Sequence, residues 1–153
     1  MPDELAILVP DEGECEALSA LCLRSKAHWG YDSAFMEAVR EELAVTPEHL
    51  RDNACAVART GGRDAGYVQV SVRGAAAYLD RLFVEPGAIG TGAGRVLFQW
   101  AADRARDAGC TRLEIDSDPQ AAGFYEKMGA RHAGFVPSGS IPGRELPFYV
   151  LDL

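Results

Sequence analysis

Apolar and polar positions follow two rhythms along this chain. Ala6-Ile7-Leu8-Val9 is a short apolar run stopped by Pro10, which predicts a first strand. From Asp11 the spacing becomes helical, with Cys15, Leu18, Leu21 and Cys22 on one side and acidic residues at the start, and the pattern fades near Ser25. Phe35, Met36, Val39 and Leu43 repeat that spacing after Asp32 or Ser33, either of which can cap a second helix. Pro47 ends it, and Thr46-Pro47-Glu48 can begin a further turn through Leu50. The rhythm then changes to strands. Cys55–Ala58, Gly66–Arg73 and Ala77–Val84 are separated by Gly61-Gly62-Arg63-Asp64 and by Gly74, residue types that hairpins favour. Three consecutive antiparallel strands followed by a helix form a meander, which disfavours a dinucleotide-binding fold.

The second half continues in the same alternation. Val96, Leu97, Trp100, Ala101 and Ala105 share one helical face, and Gly109 stops that helix after Ala108. Arg112–Asp116 reads as a strand. Asp118-Pro119 opens a helix with an acidic cap and proline in the first position, carrying Ala122, Phe124, Tyr125 and Met128 to a stop at Gly129. His132–Val136 and Leu146–Leu151 read as two last strands, joined by the glycine- and proline-punctuated stretch Pro137–Arg144. Repeats, low-complexity tracts and linkers are absent, so residues 1–153 are expected to form one mixed α/β domain.

The junction Leu82–Arg95 organises the rest. Leu82-Phe83-Val84 ends at Pro86, and Gly87, Gly90, Gly92 and Gly94 follow before the helix starts. A strand, a glycine-rich turn and a helix N-terminus aim free backbone N–H groups at one spot, where the helix dipole favours negative charge. This predicts a phosphate or pyrophosphate cradle. A nucleotide P-loop would need Lys-Ser or Lys-Thr after the glycines, and the dinucleotide fingerprint begun at Gly90 would need glycine where Arg95 stands.

Val84-Glu85-Pro86 followed by Gly92 and Gly94 resembles the acyl-CoA-binding segment of the GCN5-related N-acetyltransferases. Ile89 stands where that family usually has Gln or Arg, a departure that removes a side chain but no backbone donor. Phe124-Tyr125-Glu126-Lys127-Met128-Gly129 resembles the family's second segment, with Ala130 in place of its usual aromatic or apolar residue. The resemblance covers about residues 67–130 and implies the acyl-CoA N-acyltransferase fold: an α+β arrangement with a mixed, mostly antiparallel sheet of about six to seven strands flanked by helices, two of them splayed around the acyl-CoA arm. It further implies acetyl transfer from acetyl-CoA, as co-substrate, to a primary amine of a small molecule or peptide by direct attack in a ternary complex.

Residue roles follow from that resemblance. Leu82, Phe83, Val84, Ile89, Gly90, Thr91, Gly92, Ala93, Gly94, Arg95 and Phe124 are expected to bind the cofactor. Asp118 or Gln120 lies nearest the place of an asparagine that often touches the pantetheine arm. Tyr125 is expected beside the sulfur, where a phenol that stays protonated at neutral pH can act as general acid. Asp80 is the candidate general base, because two residues before Leu82 it shares that residue's face unless a bulge intervenes; Glu114 and Asp116 compete with it. His28, Trp29 and Tyr31 lie in a connection that either walls an acceptor site or simply seals the helix pair. Lys26–Tyr31 and Ser138–Arg144 are the expected walls of the acceptor site, and Arg144 either grips an acceptor carboxylate or lies on the surface. A non-catalytic acyl-CoA sensor or regulatory subunit, and transfer to oxygen, are the alternative readings.

Composition narrows the partners. The net charge of −8 and pI near 4.8 argue against nucleic acid and against anionic membrane surfaces, and lean towards a cationic acceptor. No apolar run is long enough to span a bilayer and the N-terminus lacks a secretory pattern, so a cytoplasmic location is expected. Cys15, Cys22, Cys55 and Cys110 lack metal-ligand spacing and read as reduced thiols, and no metal is implied. Oligomeric state is left open between monomer and homodimer.

Overall fold

The computed structural model describes residues 4–153. Strand β1 (Ala6–Leu8) leads into helices α1 (Cys15–Ala27), α2 (Ser33–Leu43) and α3 (Pro47–Asp52). Strands β2 (Ala54–Thr60), β3 (Arg63–Arg73) and β4 (Ala76–Val84) follow, then α4 (Ala93–Asp107), β5 (Arg112–Asp116), α5 (Ala122–Lys127), β6 (Arg131–Pro137) and β7 (Glu145–Asp152). The expected elements are all present, with two changes at helix starts. A 3-10 turn over Glu12–Glu14 precedes α1, and another over Pro119–Ala121 precedes α5.

Local chemistry explains where these helices begin. Asp11 and Glu14 form a reciprocal capping box before α1. The Asp32 carboxylate accepts from Phe35 N at 2.8 Å at the start of α2. At α3 Thr46 Oγ1 accepts from His49 N while His49 Nδ1 accepts from Thr46 N, and Pro47 takes the first helical position.

The seven strands lie in the order β1-β2-β3-β4-β5-β7-β6. Every pairing is antiparallel except that of β4 with β5. That parallel pairing is short. It runs from Ala76–Arg112 to Tyr78–Glu114 and stops, although β4 continues to Val84 and β5 to Asp116. The sheet therefore opens into a V between its two central strands.

Strand alternation sorts the core onto two faces. Val68, Val70, Leu79, Leu113 and Ile115 pack with Leu97, Phe98, Ala101 and Ala105 of α4 and with Tyr125 of α5. Val57 and Tyr67 pack on the other face with Leu18, Leu21 and Cys22 of α1 and Val39 and Leu43 of α2. Each fully buried large side chain here contributes about 1.5–3 kcal/mol, so the two layers hold the V open from both sides. The register between β3 and β4 shifts between Gln69 and Val70, which pair with Arg81 and Leu79 and leave Asp80 as the extra, bulged residue.

Candidate active site

A cleft of about 970 Å³ is lined by residues from both faces of the sheet, among them Leu82 and Tyr125 on one side and Leu43, Gln69 and Arg81 on the other. It therefore passes through the gap between β4 and β5. Ala88, Ile89, Gly90 and residues 92–95 line it where β4 meets α4.

That junction has the geometry of an anion cradle. Gly90 and Gly92 have φ of +88° and +90°, a conformation that L side chains rarely adopt, and Gly92 is the N-cap of α4. No side chain caps this helix and its first turn carries no acidic residue, so its leading N–H groups are available to an outside acceptor. At Gly94 a Cβ would stand 3.4 Å from the Phe124 ring and from Val84 Cγ2, so α4 starts in close contact with α5 and β4. Arg95 lines the cleft and also a second groove of about 390 Å³ between α4 and α5, with Arg106 and Lys127. Glu85 is gripped from α1 by Arg24 through two 2.8 Å bonds, which fixes the end of β4. Thr91 does not line the cleft; its hydroxyl donates to Ala88 O at 2.6 Å and braces the turn.

Tyr125 is buried in an aromatic cluster with Phe124, Phe98 and Tyr149 at centroid distances of 5.2, 6.0 and 6.4 Å. Burial, reinforced by the charge of Asp118, pushes its phenol above the ordinary range, so it is protonated at neutral pH. It lines the cleft, and no hydrogen bond to its hydroxyl is formed among the described residues. A protonated phenol without a protein partner is free to donate into the cleft.

Asp80 lies elsewhere than a regular strand would put it. The bulge turns it away from the face of Leu82, and it accepts from Ser71 Oγ at 3.1 Å on the face that carries Arg81 and Phe83. Burial raises its pKa, with Ser71, Arg73, Arg81 and His49 opposing. It still lines the cleft, together with Glu114 and Asp116. Asp116 is likewise raised, by burial and then by the charge of Glu114. Glu114 Oε2 is buried with no hydrogen-bond partner among the described residues.

The connection from α1 to α2 (residues 28–32) and that from β6 to β7 (residues 138–144) both contribute to the cleft lining and meet at Asp118. Its Oδ2 accepts from Lys26 Nζ at 2.6 Å and from the Tyr31 hydroxyl at 2.8 Å, while Arg144 Nη2 donates to the Tyr31 oxygen at 2.9 Å and lies 3.7 Å from Asp118. Tyr31 stacks on Phe35 at 4.0 Å. Arg144 thus has partners inside the protein and, like Lys26 and Asp118, also lines the cleft. Tyr31 holds this knot without lining the cleft, whereas His28 and Trp29 do line it. Sequence reasoning missed Lys26 as a structural partner, and missed Arg81, whose guanidinium donates to Leu43 O and Glu42 O at 2.6 and 2.7 Å. Neither signals its partner from its own neighbourhood in the chain. Among the described residues no group of three or more His, Cys, Asp or Glu could hold a metal, all four cysteines are free, and no helix is long and apolar enough to cross a membrane.

Comparison with known proteins places this fold in a family. The family model of the acetyltransferase (GNAT) family matches residues 19–130, and the chain belongs to that family. A blasticidin-S acetyltransferase from Streptomyces morookaense is 40% identical over 62 residues, which cover 39% of this chain and 46% of that protein. The match therefore spans less than half of that relative's length. Among solved structures, the PaiA N-acetyltransferase of Thermoplasma acidophilum, in complex with coenzyme A, superposes with a TM-score of 0.81 at 16% identity, covering 98% of this chain and 99% of the other. Nourseothricin acetyltransferase superposes with a TM-score of 0.60 at 26% identity, covering 66% of this chain and 65% of the other.

Proposed function

We propose that this protein transfers an acetyl group from acetyl-CoA to a primary amine of a small molecule or peptide, by direct attack in a ternary complex. The observation that carries the proposal is the interrupted β4–β5 pairing, with a helix-start anion cradle and an unbonded, protonated tyrosine lining the same cleft. The names of the blasticidin-S and nourseothricin enzymes favour a small-molecule acceptor.

The residues present fit acetyl-CoA. The N–H groups that open α4 suit its pyrophosphate, and Arg95 adds a cation that has no ion-pair partner among the described residues. The backbone of Leu82–Val84 has no strand partner on the β5 side, so it can pair with an extended amide-bearing arm and donate to a developing oxyanion. Acetyl-CoA supplies an activated acyl thioester. Asp80, or a water it holds, takes the proton that the attacking amine must lose. Tyr125 gives its proton to the sulfur as the C–S bond breaks and the C–N bond forms. The carboxylates Asp80, Glu114 and Asp116 suit a cationic acceptor, because Lys26 and Arg144 are already engaged by Asp118.

Thiol release from acetyl-CoA across panels of amine and hydroxyl acceptors tests the proposal. Release stimulated by an amine, with formation of the acetylated amine, is the expected result. Binding of acetyl-CoA with no turnover on any acceptor would favour the sensor reading.

A further inference from the structure

Asp118 gathers parts of the chain that are far apart in sequence. Lys26 ends α1, Tyr31 lies between α1 and α2, and Arg144 belongs to the connection from β6 to β7. Its other oxygen, Oδ1, accepts from Gln120 N at 2.9 Å and so caps the turn that leads into α5. The Lys26, Asp118 and Arg144 side chains are 14%, 11% and 20% exposed, so the knot is largely shielded from water. Gln120 Nε2 adds a 3.4 Å contact to Trp29 O.

Asp118 lines the cleft, but three direct donors and a nearby guanidinium already take up most of the acceptor sites of its carboxylate. A neutral amide at the same position keeps one acceptor oxygen, turns an N–H donor towards the donors on its other side, and does not balance a shielded ammonium and guanidinium. The carboxylate also sits at the turn from which the helix bearing Tyr125 begins. Its bonds therefore set where both outer loops rest relative to that helix.

We propose that Asp118 is a positioning residue that locks the acceptor-side loops, Lys26–Tyr31 and Ser138–Arg144, onto the start of α5, and so sets the affinity for the amine instead of contacting acetyl-CoA. This rests on the acetyl-transfer reading for its kinetic consequence, but not for its structural one.

The test uses Asp118→Asn, Lys26→Met and the double variant, with four readouts: acetyl-CoA dissociation constant, amine KM, kcat, and hydrogen exchange of the 138–144 amides. Asp118→Asn should raise the amine KM about tenfold or more while acetyl-CoA affinity and kcat stay within about threefold. Exchange in 138–144 should accelerate. Lys26→Met should act in the same direction, and the double variant should be no worse than the worse single one, as coupled partners require. The proposal is overturned if Asp118→Asn weakens acetyl-CoA about tenfold and leaves amine KM and exchange unchanged, because Asp118 would then be a cofactor contact. It is equally overturned if all parameters fall together in step with thermal stability. Should the wild-type protein not bind acetyl-CoA, the transfer reading fails while the exchange measurement still decides the knot.

Discussion

Tyr78 of β4 and Glu114 of β5 form the last paired rung between the two central strands. The cleft opens beyond that rung. The backbone of Leu82–Val84 loses its β5 neighbour there, and Tyr125 and Asp80 line the resulting cleft together with the cradle.

Tyr125→Phe removes one oxygen and keeps the aromatic cluster intact. Acetyl-CoA affinity should be unchanged, and kcat should fall about 10²–10⁴-fold, the range for loss of a general acid. Calorimetry and steady-state kinetics on the same preparation check both halves. Unchanged turnover would remove Tyr125 from the mechanism.

Asp80 couples activity to stability in opposite senses. Its pKa is raised, chiefly by burial, so its folded value exceeds the unfolded one and its charged form is disfavoured by the fold. Stability then increases as pH falls through that raised value, and a neutral replacement should stabilise the protein at pH 7. As a base, Asp80 must be ionised, so kcat/KM should fall on the acid side with an apparent pKa above the ordinary value of about 4. Asp80→Asn should raise the thermal midpoint at pH 7, abolish that acid limb and lower turnover about 10²-fold or more. A pH profile identical to that of the wild type would assign the limb to another group.

The sign reverses at Asp118. Burial alone would raise its pKa, but Lys26, Gln120 N and Tyr31 outweigh burial and hold it below the ordinary carboxylate value. Its contribution to stability is therefore full above an unfolded value of about 3.9 and is lost as pH falls through the lower folded value. Asp118→Asn should cost about 1.5–3 kcal/mol at pH 7, typical of a hydrogen bond to a charged group. The gap to wild type should close as pH drops below about 4. Denaturant melts at several pH values test this.

Gly92→Ala probes the cradle through the backbone alone. Open space surrounds the position, so no clash arises, but φ of +90° makes any Cβ strained. A cost of about 1–2 kcal/mol is expected, either as lost stability or as a shifted start of α4. Acetyl-CoA affinity should fall along with it. Titration and thermal melts of the variant separate the two effects.

The parts of the site that depend on local backbone chemistry were legible in the sequence. The turn shows itself because glycines favour the positive φ found at Gly90 and Gly92, and because the apolar run ends at Pro86. The meander and the helix following it were legible from alternation and spacing. The face of Asp80 was left to depend on a bulge, and the bulge that turns it depends on the register of β4 against β3, which leaves no mark in the residues around it. Arg144 was left open between a carboxylate grip and the surface, since its partners Tyr31 and Asp118 lie 113 and 26 positions away and only the closed fold brings them together. The interrupted β4–β5 pairing was expected from resemblance alone; neither strand's sequence announces where the pairing stops.

The most direct test is calorimetric titration of the protein with acetyl-CoA, with NADH as a control. A single site of about micromolar affinity, near −8 kcal/mol, and no response to NADH is the predicted result. Absence of acetyl-CoA binding at millimolar concentration would contradict the cradle and, with it, the acetyl-transfer account.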